Sequence, residues 1–239
     1  LFQVAPEFTK RELLPFFSKN DTAAQTWEAF MYNPECSTDP LLRAGLLPIM
    51  IKMWNRIDNL TDDQARNVFM NLTLSILSFA NIDPEHQKQL LNQTVLTQQG
   101  ELAWQFAESA CSFLEHQKEA EKDKIWNTWL HGHLANRLNG IPREATTEEL
   151  AAWADLVPLL GTHIPDALRL FSNRVFPLTR SHFAPAQLNS IMKIHGEELV
   201  AFYAERLRTT SVENHYALVY EIKRFIQDMT NAIGEEKAR

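Results

Sequence analysis

Residues 126–140 read WNTWLHGHLANRLNG and indicate the fold class of this chain more clearly than any other stretch. Trp126, Trp129 and Leu130 begin a pattern of apolar residues spaced three and four apart. This spacing places them on one side of a helix, because one helical turn takes 3.6 residues. Glycine readily adopts the left-handed conformation that follows a helix. We therefore expect this helix to stop at the Asn-Gly pair that ends with Gly140.

The same spacing recurs along nearly the whole chain, for example at Phe69, Leu72 and Ile76. Most periodic stretches follow a helix start signal, which is a capping Asp or Thr or an early proline. These signals lie at Asp21, Asp39, Thr61, Asp83, Thr146, Pro165 and Pro185. They recur roughly every 15 to 25 residues, as in helical-hairpin solenoids. We predict an all-α fold of stacked antiparallel helix pairs, a HEAT-like α-solenoid or an irregular α-superhelix. A compact irregular bundle is the alternative.

Three stretches carry more specific predictions. Thr146 and Glu149 have the spacing of a capping box, in which each side chain accepts a hydrogen bond from the other residue's backbone N–H. The charged run Glu115–Lys124 is either a solvated turn between two helices or an extension shared by both. The last two helices are expected at about Glu197–Arg208 and Val212–Ile233, and no stretch has a convincing strand pattern.

The composition is that of an ordinary globular protein, with 239 residues, 45% hydrophobic residues and a net charge of -7. The acidic balance argues against an undirected nucleic-acid surface and against tight binding to anionic lipid. No apolar run approaches the roughly 20 residues that span a bilayer. Cys36 and Cys111 are expected to be reduced thiols in a cytoplasmic protein, with a disulfide or redox pair as the alternative. We expect residues 1–239 to form one all-helical domain. Because the chain starts at Leu1, we also expect this domain to come from the C-terminal part of a longer protein.

The sequence carries no recognisable catalytic or metal-binding motif. His131 and His133 form the most suggestive cluster, but on a helix the two side chains lie about 200° apart and cannot share a metal ion. His133 instead shares the apolar side with Trp129 and is expected to be a core residue. We therefore predict no catalytic, metal-binding or cofactor-binding residue, and a domain that is not itself an enzyme. The alternative is an active site assembled from distant residues.

Arg137 extends the apolar side of the helix that contains Trp129. A guanidinium in that position needs a carboxylate partner, because an unpaired buried charge is costly. Glu149, at the start of the next helix, is the natural candidate. We predict that the pair locks two antiparallel helices together, with a ligand-binding arginine as the alternative.

Arg169, Arg174 and Arg180 form, with His182, the only locally basic stretch of the chain. Clustered arginines of this kind are typical of contacts with phosphate or nucleic acid. The other interpretation is a solvated face beside an acidic neighbour. We therefore treat the three arginines as a candidate binding face.

The middle of the chain has an order of residues that resembles a known family. The order is Trp126-x-x-Trp129-Leu130, then Arg137, Gly140-x-Pro142, Thr147, Glu149 and Trp153. It resembles the C-terminal helical domain of unknown function found on bacterial sirtuin-like proteins linked to antiphage defence. The opening of the chain also fits, with Leu14-Pro15-Phe16 followed by Trp27 and Phe30.

The resemblance implies a parent protein whose N-terminal sirtuin-like domain consumes NAD when phage infection is sensed. The present chain would sense a phage component, hold the enzyme inactive or mediate assembly, without any catalytic residue of its own. The residues expected to act only as scaffold are Trp126, Trp129, Arg137, Gly140, Pro142, Glu149 and Trp153. We therefore predict protein–protein recognition or autoinhibition, with the parent's N-terminal region and a phage protein as candidate partners and oligomerisation left open. The alternative is a sensor of nucleic acid or nucleotide that uses the Arg169–Arg180 face.

Overall fold

The computed structural model describes residues 5–19, 21–32, 38–96, 100–172, 174–178 and 185–209, together with residues 223, 227, 230 and 231. Over these residues every regular element is helical and none is a strand, which confirms the predicted all-α class. No helix in this part of the chain is both long enough and apolar enough to cross a bilayer. The stacking of helix pairs into a solenoid stays a prediction.

Contacts divide the chain into two compact units, Leu1–Ser109 and Ala110–Arg239, which we call the first and the second unit. The expectation of a single domain stays a prediction. The first unit contains α1 (Pro6–Phe8), a π-helical turn (Thr9–Leu13), a 3₁₀ turn (Leu14–Phe17), α2 (Ala23–Met31), α3 (Thr38–Arg43), α4 (Leu47–Trp54), a 3₁₀ turn (Ile57–Asn59), α5 (Asp63–Phe79), α6 (Pro84–Leu96) and residues 100–109 of α7 (Gly100–Glu115).

Large aromatic side chains form the centre of the first unit. Trp27 of α2 lies edge-on against Phe69 of α5, with ring centroids 5.1 Å apart. Phe69 also contacts Trp54 of α4 at 5.3 Å, and Trp54 meets Phe106 of α7 at 5.6 Å. All four rings are buried. Four helices therefore meet through a chain of aromatic contacts, each adding about 0.5–1.5 kcal/mol beyond the burial of its apolar area.

The start of α5 differs by one residue from the sequence prediction. Asp62, rather than Thr61, is the N-cap, and its Oδ1 accepts hydrogen bonds from the N–H groups of Gln64 at 2.7 Å and Ala65 at 3.4 Å. The N–H and hydroxyl of Thr61 both donate to Glu28 of α2 instead. Thr61 therefore ties α5 to a neighbouring helix, and the longer carboxylate beside it caps α5.

The described part of the second unit contains the remainder of α7, five further α-helices and three short helical turns. They are α8 (Glu119–Ile125), a π-helical turn (Trp126–Leu130), α9 (His131–Leu138), α10 (Thr147–Ala154), two 3₁₀ turns (Val157–Leu159 and Gly161–His163), α11 (Ile164–Phe171) and α12 (Pro185–Thr209). Since α7 ends at Glu115 and α8 begins at Glu119, the first part of the charged run Glu115–Lys124 is a turn between two helices. The predicted start at Pro165 is confirmed, because this proline lies in the first turn of α11.

The long helix α12 joins two helices that the sequence predicts separately. The start at Pro185 and the helix at Glu197–Arg208 are both present. Between them His195 has non-helical backbone angles, φ -124° and ψ 20°, so the two segments meet at a kink. The predicted helix Val212–Ile233 lies outside the described residues except for positions 223, 227, 230 and 231, which are helical.

Candidate functional site

A fully buried ion pair joins the end of α9 to the start of α10. The Arg137 Nε donates to Glu149 Oε1 at 2.6 Å, and its Nη2 donates to Glu149 Oε2 at 3.0 Å. Neither side chain is exposed to solvent. Glu149 is the partner that the sequence predicts for Arg137, and the guanidinium binds it through two parallel hydrogen bonds. This geometry gives the strongest and most directional form of ion pair in proteins.

Arg137 also organises the loop between α9 and α10. Its Nη1 donates to the carbonyl oxygens of Ile141 and Arg143, both at 2.8 Å. Gly140, at φ 71°, allows the chain to turn back over the end of α9. The Ile141 N–H then donates to a carbonyl in the last turn of that helix at 2.9 Å. The predicted stop at Gly140 is thus confirmed, and a cis peptide bond precedes Pro142.

The predicted capping box at the start of α10 is only half formed. The Thr146 hydroxyl accepts a hydrogen bond from the Glu149 N–H at 3.1 Å, as expected for the N-cap. The Glu149 carboxylate does not return this bond, because Arg137 takes both of its oxygens. The prediction of a reciprocal box is therefore wrong: a buried guanidinium competes more strongly for a carboxylate than a single backbone N–H.

His133 lies one turn before Arg137 and is buried between two tryptophans. Its ring centroid lies 5.0 Å from that of Trp153 and 6.0 Å from that of Trp129. Burial, and then the nearby charge of Arg137, lower the pKa of His133 to about 3. The imidazole is therefore neutral and acts as a core side chain. His131 is exposed, in agreement with the expected separation of the two histidines on the helix.

Trp126 completes the set of tryptophans that the sequence marks as scaffold. It is buried and stacks on His163 with ring centroids 5.4 Å apart. The His163 Nε2 in turn lies 2.8 Å from Asp123 Oδ1 of α8. Trp126 therefore anchors the start of its helix to the 3₁₀ turn before α11, at a different place from the contacts of Arg137.

A second buried arginine, Arg206 of α12, was not found by sequence reasoning. Its Nη2 lies 2.6 Å from Asp155 Oδ1 and donates to the carbonyl oxygens of Ala151 and Pro177, each at 3.0 Å. Its Nε donates to the Phe176 carbonyl at 3.2 Å. Arg206 thus connects α12 to the end of α10 and to the segment 174–178. Arg206 lies three residues after an apolar residue on the buried side of α12. The same spacing relative to apolar residues singled out Arg137.

An open groove lies between α11 and α12, beside the segment 174–178. Its volume is about 580 Å³, within the usual range for ligand pockets. The groove is mainly apolar, and two of its lining residues, Phe171 of α11 and Phe202 of α12, contact each other with ring centroids 6.3 Å apart. The lining residues are Pro165, Leu168, Arg169, Phe171, Ser172, Arg174, Val175, Glu198, Ala201, Phe202, Glu205 and Arg206.

The predicted basic face only partly coincides with this groove. Arg169 and Arg174 line it and are exposed, whereas Arg180 and His182 lie outside the described residues. Arg169 pairs with Asp166 on its own helix. Glu198 and Glu205 of α12 line the same groove, so its charge is mixed rather than basic. Sequence reasoning missed these two acids because they follow the arginines by more than twenty residues, and only packing of α11 on α12 brings them together.

Two other sequence predictions concern reactive side chains. Over the described ranges, no three His, Cys, Asp or Glu side chains converge as metal ligands would. The Cys111 Sγ donates to the Ala152 carbonyl at 3.5 Å, and Cys36 lies outside the described residues, so the thiol state stays a prediction.

Comparisons with protein-family models, curated proteins and solved structures find no match for this chain.

Proposed function

We propose that this chain is a non-catalytic helical recognition module that binds a segment of a protein partner in the groove between α11 and α12. The observation that carries the proposal is the open apolar groove itself. Val175 on its edge is 46% exposed, and the Phe202 side chain is partly exposed beside it. Apolar side chains presented in a concave surface are typical of sites that bind ligands or partner segments.

The buried Arg206 supports this proposal because it connects two elements that line the groove. Arg206 ties α12 to the segment 174–178, and residues of both elements line the groove. A recognition surface gains affinity when its walls are already positioned before the partner arrives. The groove therefore has a prearranged shape, as a binding module requires.

The resemblance to the helical domain of sirtuin-like defence proteins supplies the proposed partner. We take it to be the N-terminal, NAD-consuming region of a longer parent protein, which the helical domain would hold inactive until a phage component competes. This part of the proposal rests on the short motif between Trp126 and Trp153.

Titration of the full chain with the separately expressed N-terminal region, followed by calorimetry, tests the proposal. We expect binding that weakens at least tenfold in Val175→Glu, because a carboxylate at this exposed edge would have to be desolvated by an apolar partner segment. Ile194→Glu is the matched control, since Ile194 is 75% exposed on α12 but does not line the groove. Absence of binding, or equal binding by both variants, would contradict the proposal.

The second candidate function is recognition of nucleic acid or nucleotide by the Arg169–Arg180 face. The exposed Arg174 at the groove edge favours it, and Glu198 and Glu205 in the same groove oppose it by repelling phosphate. Oligonucleotide binding that falls steeply with salt and disappears in Arg174→Glu would replace the first proposal by this one.

A further inference from the structure

The dimensions of the groove match one side of a helix. The lining residues of α12 extend from Glu198 to Arg206, about 12 Å at a rise of 1.5 Å per residue. Those of α11 extend from Pro165 to Phe171, about 9 Å. A helix that docks through positions i, i+3 or i+4, and i+7 presents a ridge about 10.5 Å long. The groove therefore has room for the apolar ridge of a two-turn helical contact.

The two sides of the groove carry opposite charges. Arg169 and Arg174 lie on the side formed by α11 and the segment 174–178, and Glu198 and Glu205 lie on the side formed by α12. Arg169 and Glu205 each pair with a neighbour on their own helix, and such exposed pairs neutralise much of their charge.

Arg174 and Glu198 are the charges that remain available to a partner. Among the described residues, Arg174 has no ion-pair partner and is exposed. Glu198 is 58% exposed, and its nearest cationic candidate is His195, with Nδ1 3.9 Å from Oε2. The mainly apolar lining of the groove therefore contains one accessible cation, on the segment 174–178, and one accessible anion, on α12.

From this arrangement we infer that the occupant is an amphipathic helix with an apolar ridge, acidic residues along the flank beside Arg174 and basic residues along the flank beside Glu198. This inference rests on the proposed function and specifies the chemistry of its partner. A helix suits the site because its two flanks diverge from one ridge and reach both walls at once. The opposite charges of the walls also fix the direction in which the helix lies.

Three stapled helical peptides test the inference by fluorescence anisotropy on the full chain. They share one leucine ridge and differ only in their flanks: Glu on one side and Lys on the other, Glu on both sides, or Lys on both sides. We expect the mixed peptide to bind roughly fivefold more tightly than either of the others, since each of those exchanges one attraction for a repulsion.

Charge reversals on the protein sharpen this test. Arg174→Glu should shift the preference to the peptide with Lys on both flanks, and Glu198→Lys should shift it to the peptide with Glu on both flanks. Glu197→Lys is the matched control, because Glu197 is exposed on the same helix but does not line the groove. It should leave the preference for the mixed peptide unchanged.

The outcomes separate this inference from the proposed function. If the three peptides bind equally and all lose binding in Val175→Glu, the groove binds helices but the charge inference fails. If no peptide binds while the N-terminal region still binds in a Val175-dependent way, the inference alone fails. An oligonucleotide that displaces the mixed peptide at low salt would also overturn it.

Discussion

The first and second units bury different kinds of polar side chain. Those buried in the described part of the first unit are uncharged hydroxyl residues, namely Thr9, Thr73, Ser78 and Thr94. Those buried in the second unit include charged side chains and a histidine, namely Lys122, His133, Arg137, Glu149 and Arg206. Apolar contacts have little directional preference, whereas a guanidinium fixes the positions of the groups that it binds.

This difference has a consequence for function. Within the second unit, Arg137 holds the loop 139–146 and Arg206 holds the segment 174–178, so two stretches without regular structure are fixed by charged groups. One of these stretches forms an edge of the proposed binding groove. The two buried arginines of the second unit thus position irregular backbone, whereas aromatic packing in the first unit joins regular helices.

The largest expected effect is that of Arg137→Met. This change leaves the Glu149 carboxylate buried without its partner, and we expect a loss of about 3–5 kcal/mol in the free energy of unfolding. Urea denaturation, with hydrogen exchange of the α9 and α10 amides, measures it. The double variant Arg137→Met/Glu149→Leu should recover most of the lost free energy of unfolding, because no unpaired charge remains. An unchanged melting temperature with lost partner binding would instead make Arg137 a ligand-binding residue.

His133→Phe tests the second unit through pH. The unfolded chain protonates His133 below its ordinary pKa of 6.5, whereas the folded chain keeps it neutral down to about 3. The unfolded state therefore binds more protons in this window, and stability falls as the pH falls from 6.5 towards 3. We expect the neutral state of His133 in the fold to account for about 2 kcal/mol of the free energy of unfolding that is lost at pH 5.

The measurement compares urea midpoints of the two proteins at neutral pH and at pH 5. The Phe variant should lose less stability than the wild type over this interval. An identical loss in both proteins would show that His133 becomes protonated in the folded state, and hence that its environment is more polar than the structure shows.

The smallest expected effect lies in the first unit, at Asp62→Ala. Its carboxylate caps α5 at the surface, and loss of an N-cap costs about 1 kcal/mol. Asp58→Ala, which removes an exposed carboxylate from the preceding 3₁₀ turn, is the control and should change little. Thermal denaturation compares the two. A loss at Asp62 as large as that at Arg137 would remove the distinction between the two units.

Features of the sequence with local causes were predictable. Helix starts at Asp83, Pro165 and Pro185 and the stop at Gly140 follow from capping and backbone preferences within a few residues. The partner of Arg137 was also within reach, because Glu149 follows only twelve residues later and the turn between them reverses the chain direction.

Features that depend on competition or on distant packing were not predictable. The sequence places Glu149 in two competing roles, as a capping-box residue and as the partner of Arg137, and only the three-dimensional approach of Arg137 decides which donor binds its carboxylate. Arg206 finds its partners between 29 and 55 residues away, on backbone carbonyls that carry no mark in the sequence. The groove is likewise a property of two helices that meet.

The sequence by itself therefore determined the helical class, many helix ends and one buried ion pair, because each of these depends on the spacing of residues that lie close together in the chain. Only the tertiary structure decided that Arg206 pairs with Asp155, which carbonyl oxygens the two buried arginines bind, and that α11 and α12 leave an apolar groove with charges of both signs in its lining. The physical reason is that these features form only where residues far apart in the chain are buried against each other, and the spacing of neighbouring residues does not determine which distant groups meet.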